Sequence, residues 1–437
     1  MIATVHPSTL KGHLVSPRSK SAMQRACAAA LLRHGQTEIR LPGQSNDDLA
    51  AMDVITRLGA TIHESDAALL VQSQGVHPKS DTVHCGESGL GIRMFTPIAA
   101  LSPRRLLLTG AGSLVTRPMD FFDAVLPQLG VMVSSQQGRL PLSIQGPLRP
   151  ADITVDGSLS SQFLTGLLMA FSAAGASDVT IRVEGLKSRP YIDLTLSVMR
   201  SFGMHMPDTT AGDVFHFPVY IPSLAMTEPL CYTVEGDWSG AAFLVVAAAL
   251  AGDLAIEGLD VASVQGDKAI LTALASAGGQ FHVGADGRLY IAQTSLQAFA
   301  FDATECPDLF PPLAALAACC AGTSVIQGVG RLAHKESDRG QTLQQEFGKL
   351  GVSIRLEEDL MFIEGGGAIL AGNVHSCHDH RIAMSLAVAA LRAQGPLRIE
   401  AAEAIGKSYP HFFDDMVSLG AGIHRSGSLP TTVFTPE

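Results

Sequence analysis

Apolar residues recur along this chain at helical spacing, in blocks that end the same way. Leu343, Phe347 and Leu350 form an i, i+4, i+7 stripe that stops at Gly351. That pattern predicts a helix closed by a residue in the left-handed conformation that glycine tolerates best. Residues 324–327 before it read as a strand, and 328–339, carrying Lys335, Glu336 and Arg339, link the two. The succession of periodic helix, glycine and alternating strand returns at Gly59, Gly130, Gly203, Gly278, Gly351 and Gly420, spaced 71, 73, 75, 73 and 69 residues apart.

A second series of Ala-rich helical stretches interleaves with the first, at 22–33, 91–101, 162–174, 238–251, 309–321 and 381–394. Five of the six close on a glycine, and the second stops before Ser102-Pro103. Short strands follow, such as 178–183 and 253–257. Each unit of about 72 residues reads strand, helix, strand, helix, strand, strand. Such self-similarity marks a repeat architecture of the α/β class. Six units make two domains of three, divided near 231–234, after the Pro-containing segment 218–229.

Composition agrees. A length of 437 residues suits two cores rather than one. The chain is 46% hydrophobic with one Trp, which fits packed α/β layers rather than disorder. A net charge of -11 argues against a nucleic-acid partner while leaving room for a small basic cleft. The seven cysteines form no close-spaced framework, as expected in a reducing compartment. The longest apolar run, 241–251, is too short to span a membrane, and no signal-peptide region opens the chain. A cytosolic protein without a membrane partner is expected.

Residues suited to chemistry gather at predicted helix starts: Ser19-Lys20-Ser21 with Arg25, Gly86-Glu-Ser-Gly-Leu-Gly-Ile-Arg93, Ser158-Leu-Ser-Ser-Gln162 and Asp379-His-Arg381. Arg117, Ser188-Arg-Pro-Tyr191, Lys335-Glu336 through Arg339, and Lys407 precede the other helix series. A helix N-terminus gives an anion about 0.3–1 kcal/mol. A charge-assisted bond from Lys or Arg adds roughly 1.5–3 kcal/mol. Several together suit a small, multiply charged phosphate or carboxylate. Ser160, Ser161 and Gln162 exceed what capping requires. Residues 86–91 have P-loop glycine spacing, but Ile92-Arg93 replaces the required Lys-Ser/Thr, and Gly89-Leu-Gly91 lacks the third glycine of a dinucleotide fingerprint. His375-Ser-Cys-His-Asp-His380 has no second group at zinc spacing, so no metal is expected.

Pro17-x-Ser-Lys-Ser21 with Arg25, Val155-Asp-Gly-Ser-Leu-Ser-Ser-Gln-Phe-Leu164, Ser188-Arg-Pro-Tyr-Ile-Asp193, Lys335-Glu-Ser-Asp-Arg339, Asp379-His-Arg381 and Lys407-Ser-Tyr-Pro410 resemble the 5-enolpyruvylshikimate-3-phosphate synthase family. The motifs stand in that family's order across nearly the whole chain. The resemblance implies two domains, each of three βαβαββ units around a pseudo-threefold axis, an inverse α/β barrel. They would be residues 17–232, and 233–437 joined by 1–16. It also implies transfer of the enolpyruvyl group of phosphoenolpyruvate to the 5-hydroxyl of shikimate 3-phosphate, within aromatic amino acid biosynthesis. A monomer without metal or organic cofactor is the matching expectation, in a family where the herbicide glyphosate competes with phosphoenolpyruvate.

Carried over position by position, Ser21 and Arg25 would hold the shikimate carboxylate. Ser160, Ser161, Ser188 and Tyr191 would surround its 3-phosphate and ring, with Lys20 and Gln162 nearby. Asp308, Arg331 and Lys335 would meet the ring hydroxyls. Lys20, Gly89, Arg117, Gln162, Arg339, Arg381 and Lys407 would hold phosphoenolpyruvate. In the implied chemistry an alcohol adds to C2 of the enol phosphate as C3 is protonated. The tetrahedral adduct then loses phosphate and a C3 proton. Glu336 would carry both C3 proton steps, and Asp308, with Lys20, would take the hydroxyl proton. Lys335 and Arg339 favour the carboxylate form of Glu336, while burial opposes it. The five cations Lys20, Arg117, Arg339, Arg381 and Lys407 would stabilise the developing charge.

Some positions depart from the family. Leu90 stands where Thr is common, Arg331 where Asn is frequent, and Ser16-Pro17-Arg18 where Leu-Pro-Gly is usual. The nearest rival reading is UDP-N-acetylglucosamine enolpyruvyl transferase, which carries a Cys where this chain has Gly112. A non-catalytic phosphometabolite-binding protein would have no use for both Asp308 and Glu336. An RNA-end-processing enzyme is disfavoured by the charge and the sparse aromatics.

Overall fold

The computed structural model describes residues 1–65, 67–209, 212–221, 229–333 and 335–427. His334 of the 328–339 segment and positions 222–228 of the 218–229 segment therefore lie outside the described residues. In chain order the α-helices are α1 (Lys20–Leu32), α2 (Asn46–Arg57), α3 (Gly89–Ala99), α4 (Asp120–Val125), α5 (Ser161–Ala173), α6 (Arg189–Ser201), α7 (Trp238–Ala251), α8 (Ile270–Ser276), α9 (Phe310–Cys319), α10 (Arg339–Gly348), α11 (His380–Ala390) and α12 (Phe412–Ser418).

The odd-numbered helices are the Ala-rich series, and composition dictates where they sit. Every residue of α3 is buried, and in α7 only Ser239 is partly exposed. A helix apolar all round needs cover on every side. Accordingly α1, α3 and α5 pack on one another, as do α7, α9 and α11. Small residues permit the close approach. A Cβ on Gly166 would lie 2.5 Å from the Met94 carbonyl oxygen, so any side chain there would push α5 away from α3. The run 241–251 is thus a core helix, and among the described residues no helix is long and apolar enough to cross a membrane.

Small sheets cover the helices. In the second repeat Thr82–His84 and Arg105–Thr109 pair in parallel, Leu142–Gln145 joins the latter antiparallel, and Met132–Ser134 forms the edge. Among the described residues five of the six sheets have four strands in this order. In the third sheet the edge strand is reduced to a single bridge, Asp208–His216. Strands bury alternate residues, as Ile153 and Val155 do in Ile153–Asp156, which turns one face to the helices. Three sheets draw a strand from a distant part of the chain. Leu230–Thr233 pairs with Gly35–Arg40, Leu10–Val15 with Gly252–Glu257, and Ile2–Val5 lies between Leu397–Glu400 and Ile423–Ser426.

The six periodic glycines all have positive φ, from 66° at Gly203 to 126° at Gly59. That is the left-handed backbone the periodicity called for. Contacts divide the chain into one unit of Met1–Pro17 with Glu235–Glu437 and another of Arg18–Val234. Each has its own apolar core.

Candidate active site

In the unit containing Glu235 onward, strand Gly322–Gln327 gives way to a 3-10 turn, Val329–Arg331. Lys335 and Glu336 then lie on the loop ahead of α10, which Asp338 caps by accepting from the Gln341 N–H at 3.2 Å. Arg339, the first residue of α10, is the centre of a network. Its Nε and Nη2 donate to Asp379 at 2.8 and 3.3 Å, its Nη1 to Asp308 at 2.7 Å, and its Nη2 to Glu336 at 2.5 Å. Asp379 also caps α11, accepting from the Arg381 N–H at 2.9 Å, and receives the Ser337 hydroxyl at 3.2 Å.

Asp308 sits among cations on both oxygens. Oδ1 also accepts from Lys335 at 3.2 Å, and Oδ2 from Arg381 at 3.0 Å. Nη1 of Arg381 donates to Ser239 at 2.7 Å. Burial pushes the Asp308 carboxyl up, but Arg381, Lys335 and Arg339 outweigh it and hold the group well below the usual carboxylate range. Burial draws the Lys335 ammonium down, and Asp308 opposes this only in part. Arg339 goes the other way. Burial lowers it, yet Asp379, Glu336 and Asp308 together raise it beyond an ordinary guanidinium. Lys407 donates to the His378 carbonyl at 2.9 Å, and Arg331 to the Thr304 carbonyl at 3.1 Å.

In the unit of Arg18–Val234, Ser19 caps α1 by accepting from Ala22 N–H at 3.3 Å. Lys20 follows at the first helical position and pairs with Asp47 at 2.9 Å, both largely shielded. Asp47 stands on the first turn of α2, where Ser45 and Asp48 close a capping box. Burial pushes the Asp48 carboxyl up to about 7, although its hydrogen bonds from Ser45 act to lower it. Arg25 is 1% exposed. Its donors reach Thr195 at 2.9 Å, the Ser21 carbonyl at 2.8 Å and the Tyr191 carbonyl at 3.2 Å. Burial lowers its pKa to about 10.

Ser188 precedes α6 in the left-handed conformation, at φ 57°, and is buried. Ser160 caps α5 by accepting from the Gln162 N–H at 3.2 Å, and Ser161 beside it is buried. A Cβ on Gly89 would stand 2.5 Å from Arg117 Nη1 and 3.7 Å from Gln162 Oε1. Those three residues therefore border one place, with Leu90 buried in the same first turn of α3. Gln162 Oε1 in turn accepts from Arg93 at 2.9 Å.

Asp47, Arg93, Ser239 and Asp379 are in these clusters without having been assigned a role from the sequence. Asp379 and Arg93 stood inside motifs noted for other residues. The Ser45-x-x-Asp48 capping signal places Asp47 on a helix start. Ser239 carried no signal. In the segment 375–380, His375 Nδ1 accepts from the Cys377 N–H at 2.8 Å while Asp379 serves Arg339. Among the described residues no group of three or more His, Cys, Asp or Glu could hold a metal ion.

Sheets of this order around paired triplets of buried helices, with cations and carboxylates at the helix starts, define the enolpyruvyl transferase fold. An enolpyruvyl transferase from Streptomyces tendae, 18% identical, shares it with a TM-score of 0.76 over 97% of this chain and 98% of that one. An EPSP synthase from Acinetobacter baumannii, 25% identical, matches with a TM-score of 0.79 over 98% of this chain and all of its own. The chain belongs to the EPSP synthase (3-phosphoshikimate 1-carboxyvinyltransferase) family, whose pattern matches residues 5–416. A 3-phosphoshikimate 1-carboxyvinyltransferase from Methanocorpusculum labreanum is 36% identical over 426 residues, 96% of this chain and 99% of the relative. One from Clostridium kluyveri is 34% identical over 422 residues, 96% and 97% of the two chains.

Proposed function

We propose that this chain transfers the enolpyruvyl group of phosphoenolpyruvate to the 5-hydroxyl of shikimate 3-phosphate by addition and elimination, and that the two clusters carry the reaction. The observation that supports this best is the placing of Asp308 and Glu336 on the same guanidinium, that of Arg339. A site that only bound anions would gain nothing from carboxylates that neutralise its cations. In our reading Arg339, Arg381, Lys407, Lys20 and Arg117 take the phosphate and carboxylate of phosphoenolpyruvate, with Gly89 leaving room and Gln162 beside it. Ser21, Arg25, Ser160, Ser161, Ser188 and Tyr191 serve shikimate 3-phosphate, and Lys335 and Arg331 its hydroxyls.

The electrostatics suit a base that is switched on by substrate. Surrounded by cations, Asp308 is a weak base. When an incoming anion takes up the charge of Arg339 and Arg381, the Asp308 pKa rises and the group becomes able to accept the hydroxyl proton. Glu336 then delivers a proton to C3 and later removes one. Gly112, in place of the cysteine of the UDP-sugar enzyme, favours the shikimate acceptor. The test is phosphate release from phosphoenolpyruvate with each acceptor. Release with shikimate 3-phosphate alone is expected, and release only with UDP-N-acetylglucosamine would replace this reading by its rival.

A further inference from the structure

Three residues assigned above to shikimate 3-phosphate, Ser21, Ser161 and Tyr191, stand in the first turns of α1, α5 and α6. Their backbone carbonyls meet one buried polar hub of Arg25, Thr165 and Thr195, which are 1%, 0% and 0% exposed. Arg25 Nη1 donates to the Ser21 carbonyl at 2.8 Å, and Nη2 to the Tyr191 carbonyl at 3.2 Å. Its Nε donates to Thr195 Oγ1 at 2.9 Å, and Nη2 reaches Thr165 Oγ1 at 3.5 Å. The two threonine oxygens lie 2.9 Å apart. Thr165 Oγ1 is 3.3 Å from the Ser161 carbonyl oxygen, and Thr195 Oγ1 is 2.9 Å from that of Tyr191.

A bond back to the carbonyl four residues earlier is common for a helical threonine. It does not account for the contact between the two hydroxyls or for the bond from Arg25 Nε. Each hydroxyl has one hydrogen to give. If Thr195 gave its hydrogen to Tyr191, either the hydroxyl pair or the Ser161 carbonyl would go without. One assignment bridges the pair and gives all three carbonyls a side-chain donor. Arg25 donates to Thr195, Thr195 to Thr165 and Thr165 to Ser161, while Arg25 itself serves Ser21 and Tyr191. A cation heads this chain of donors, which strengthens the bonds that follow. Among the described residues every hydrogen bond of the guanidinium goes to a neutral oxygen, so no carboxylate sets its position.

We propose that Thr195, acting with Thr165, is a positioning residue for shikimate 3-phosphate, which sets Arg25 and ties the first turns of α1, α5 and α6 into one arrangement. This rests on the reading of those turns as the shikimate 3-phosphate site.

The measurement is shikimate 3-phosphate binding by calorimetry, with steady-state kinetics at saturating shikimate 3-phosphate beside it. Thr195→Val keeps the shape and removes the hydroxyl that Arg25 Nε meets. Its Kd for shikimate 3-phosphate should rise by about tenfold or more, the scale of one lost bond to a charged group. Once that site is filled, kcat and KM for phosphoenolpyruvate should stay within about threefold of wild type. Thr195→Ser restores the hydroxyl and should bring Kd back to within about threefold. Thr165→Val should weaken binding less, and should weaken it less still in the Thr195→Val background, because its link to the cation is gone. A lower melting temperature with unchanged Kd in Thr195→Val is the result of a merely structural threonine and would overturn the proposal. Equal losses in Thr195→Ser and Thr195→Val, or fully additive losses in the double variant, would do the same. Should Thr195→Val not fold, Thr165→Val decides, and wild-type Kd there would overturn the hub. A wild-type chain that binds no shikimate 3-phosphate would instead sink the reading of the site.

Discussion

Asp379 and Arg339 meet at 2.8 Å with 0% and 1% of their side chains exposed. Neither can be removed without stranding the other in a shielded place, and breaking one partner of a buried pair typically destabilises by roughly 3–5 kcal/mol. Asp308 and Glu336 also touch the guanidinium and soften that loss. Asp379→Asn should therefore lower the unfolding free energy in urea by about 2–4 kcal/mol. It should also raise KM for phosphoenolpyruvate by loosening Arg339. A variant as stable as the wild type would mean that Asp308 and Glu336 alone suffice to compensate Arg339.

Glu336→Gln and Asp308→Asn keep shape and remove charge. Both should lower kcat by about a hundredfold or more, the usual range for a lost general acid or base, while substrate affinity changes far less. Turnover close to wild type in either variant would assign that carboxylate to structure. Asp308 also leaves a mark on stability. Its folded pKa lies below that of an unfolded aspartate, so its contribution is present above about pH 4 and disappears as pH falls through the folded value. Asp308→Asn should make acid unfolding less steep.

Asp48 acts in the opposite sense. An unfolded aspartate titrates near 3.9, whereas burial holds Asp48 at about 7. Between those values the folded chain keeps a proton that the unfolded chain has lost. Its stabilising contribution is full below the lower value and fades as pH rises through the upper one. The stability difference between wild type and Asp48→Asn should shift against the wild type by on the order of 2 kcal/mol between pH 5 and pH 8. Parallel curves for the two proteins would show that Asp48 is ionised throughout.

Gly89→Ala tests the crowded place beside Arg117. The added Cβ would press on Arg117 Nη1, the far end of a flexible side chain, at 2.5 Å. The guanidinium can yield, so phosphoenolpyruvate should still bind with a modest rise in KM. Glyphosate, whose chain between carboxylate and phosphorus is one atom longer, should lose more, and its inhibition constant should rise at least tenfold beyond the change in KM. Equal changes in both constants would place residue 89 outside the pocket.

The sixfold period was legible because its marker is local. A left-handed cap wants glycine, and all six predicted positions adopt positive φ. The exact strand pairing was not, because the place of Ile2–Val5 between Leu397–Glu400 and Ile423–Ser426 depends on pairing between distant parts of the chain. The same distinction runs through the candidate site. Lys20, Lys335, Glu336, Arg339 and Arg381 stand in compact motifs at or just ahead of helix starts, where a free terminus and a charge can be read together. Asp47 and Ser239 gain their meaning only from partners on another helix, Lys20 and Arg381. Arg25 shows the limit of motif reading. Its neighbours marked it as a ligand-facing cation, and what they did not reveal is that it also donates to Thr195 and to the carbonyls of Ser21 and Tyr191.

The central claim is an addition that makes C3 of phosphoenolpyruvate a transient methyl group, and heavy water tests it most directly. The reaction of shikimate 3-phosphate with phosphoenolpyruvate, run in deuterium oxide and followed by proton and deuterium NMR, should give an enol ether at the 5-oxygen with deuterium in its vinyl positions. Protonation by solvent-derived deuterium and loss of either hydrogen from the methyl group require that outcome. An enolpyruvyl product carrying no deuterium, or phosphate release without an enol ether, would contradict the account.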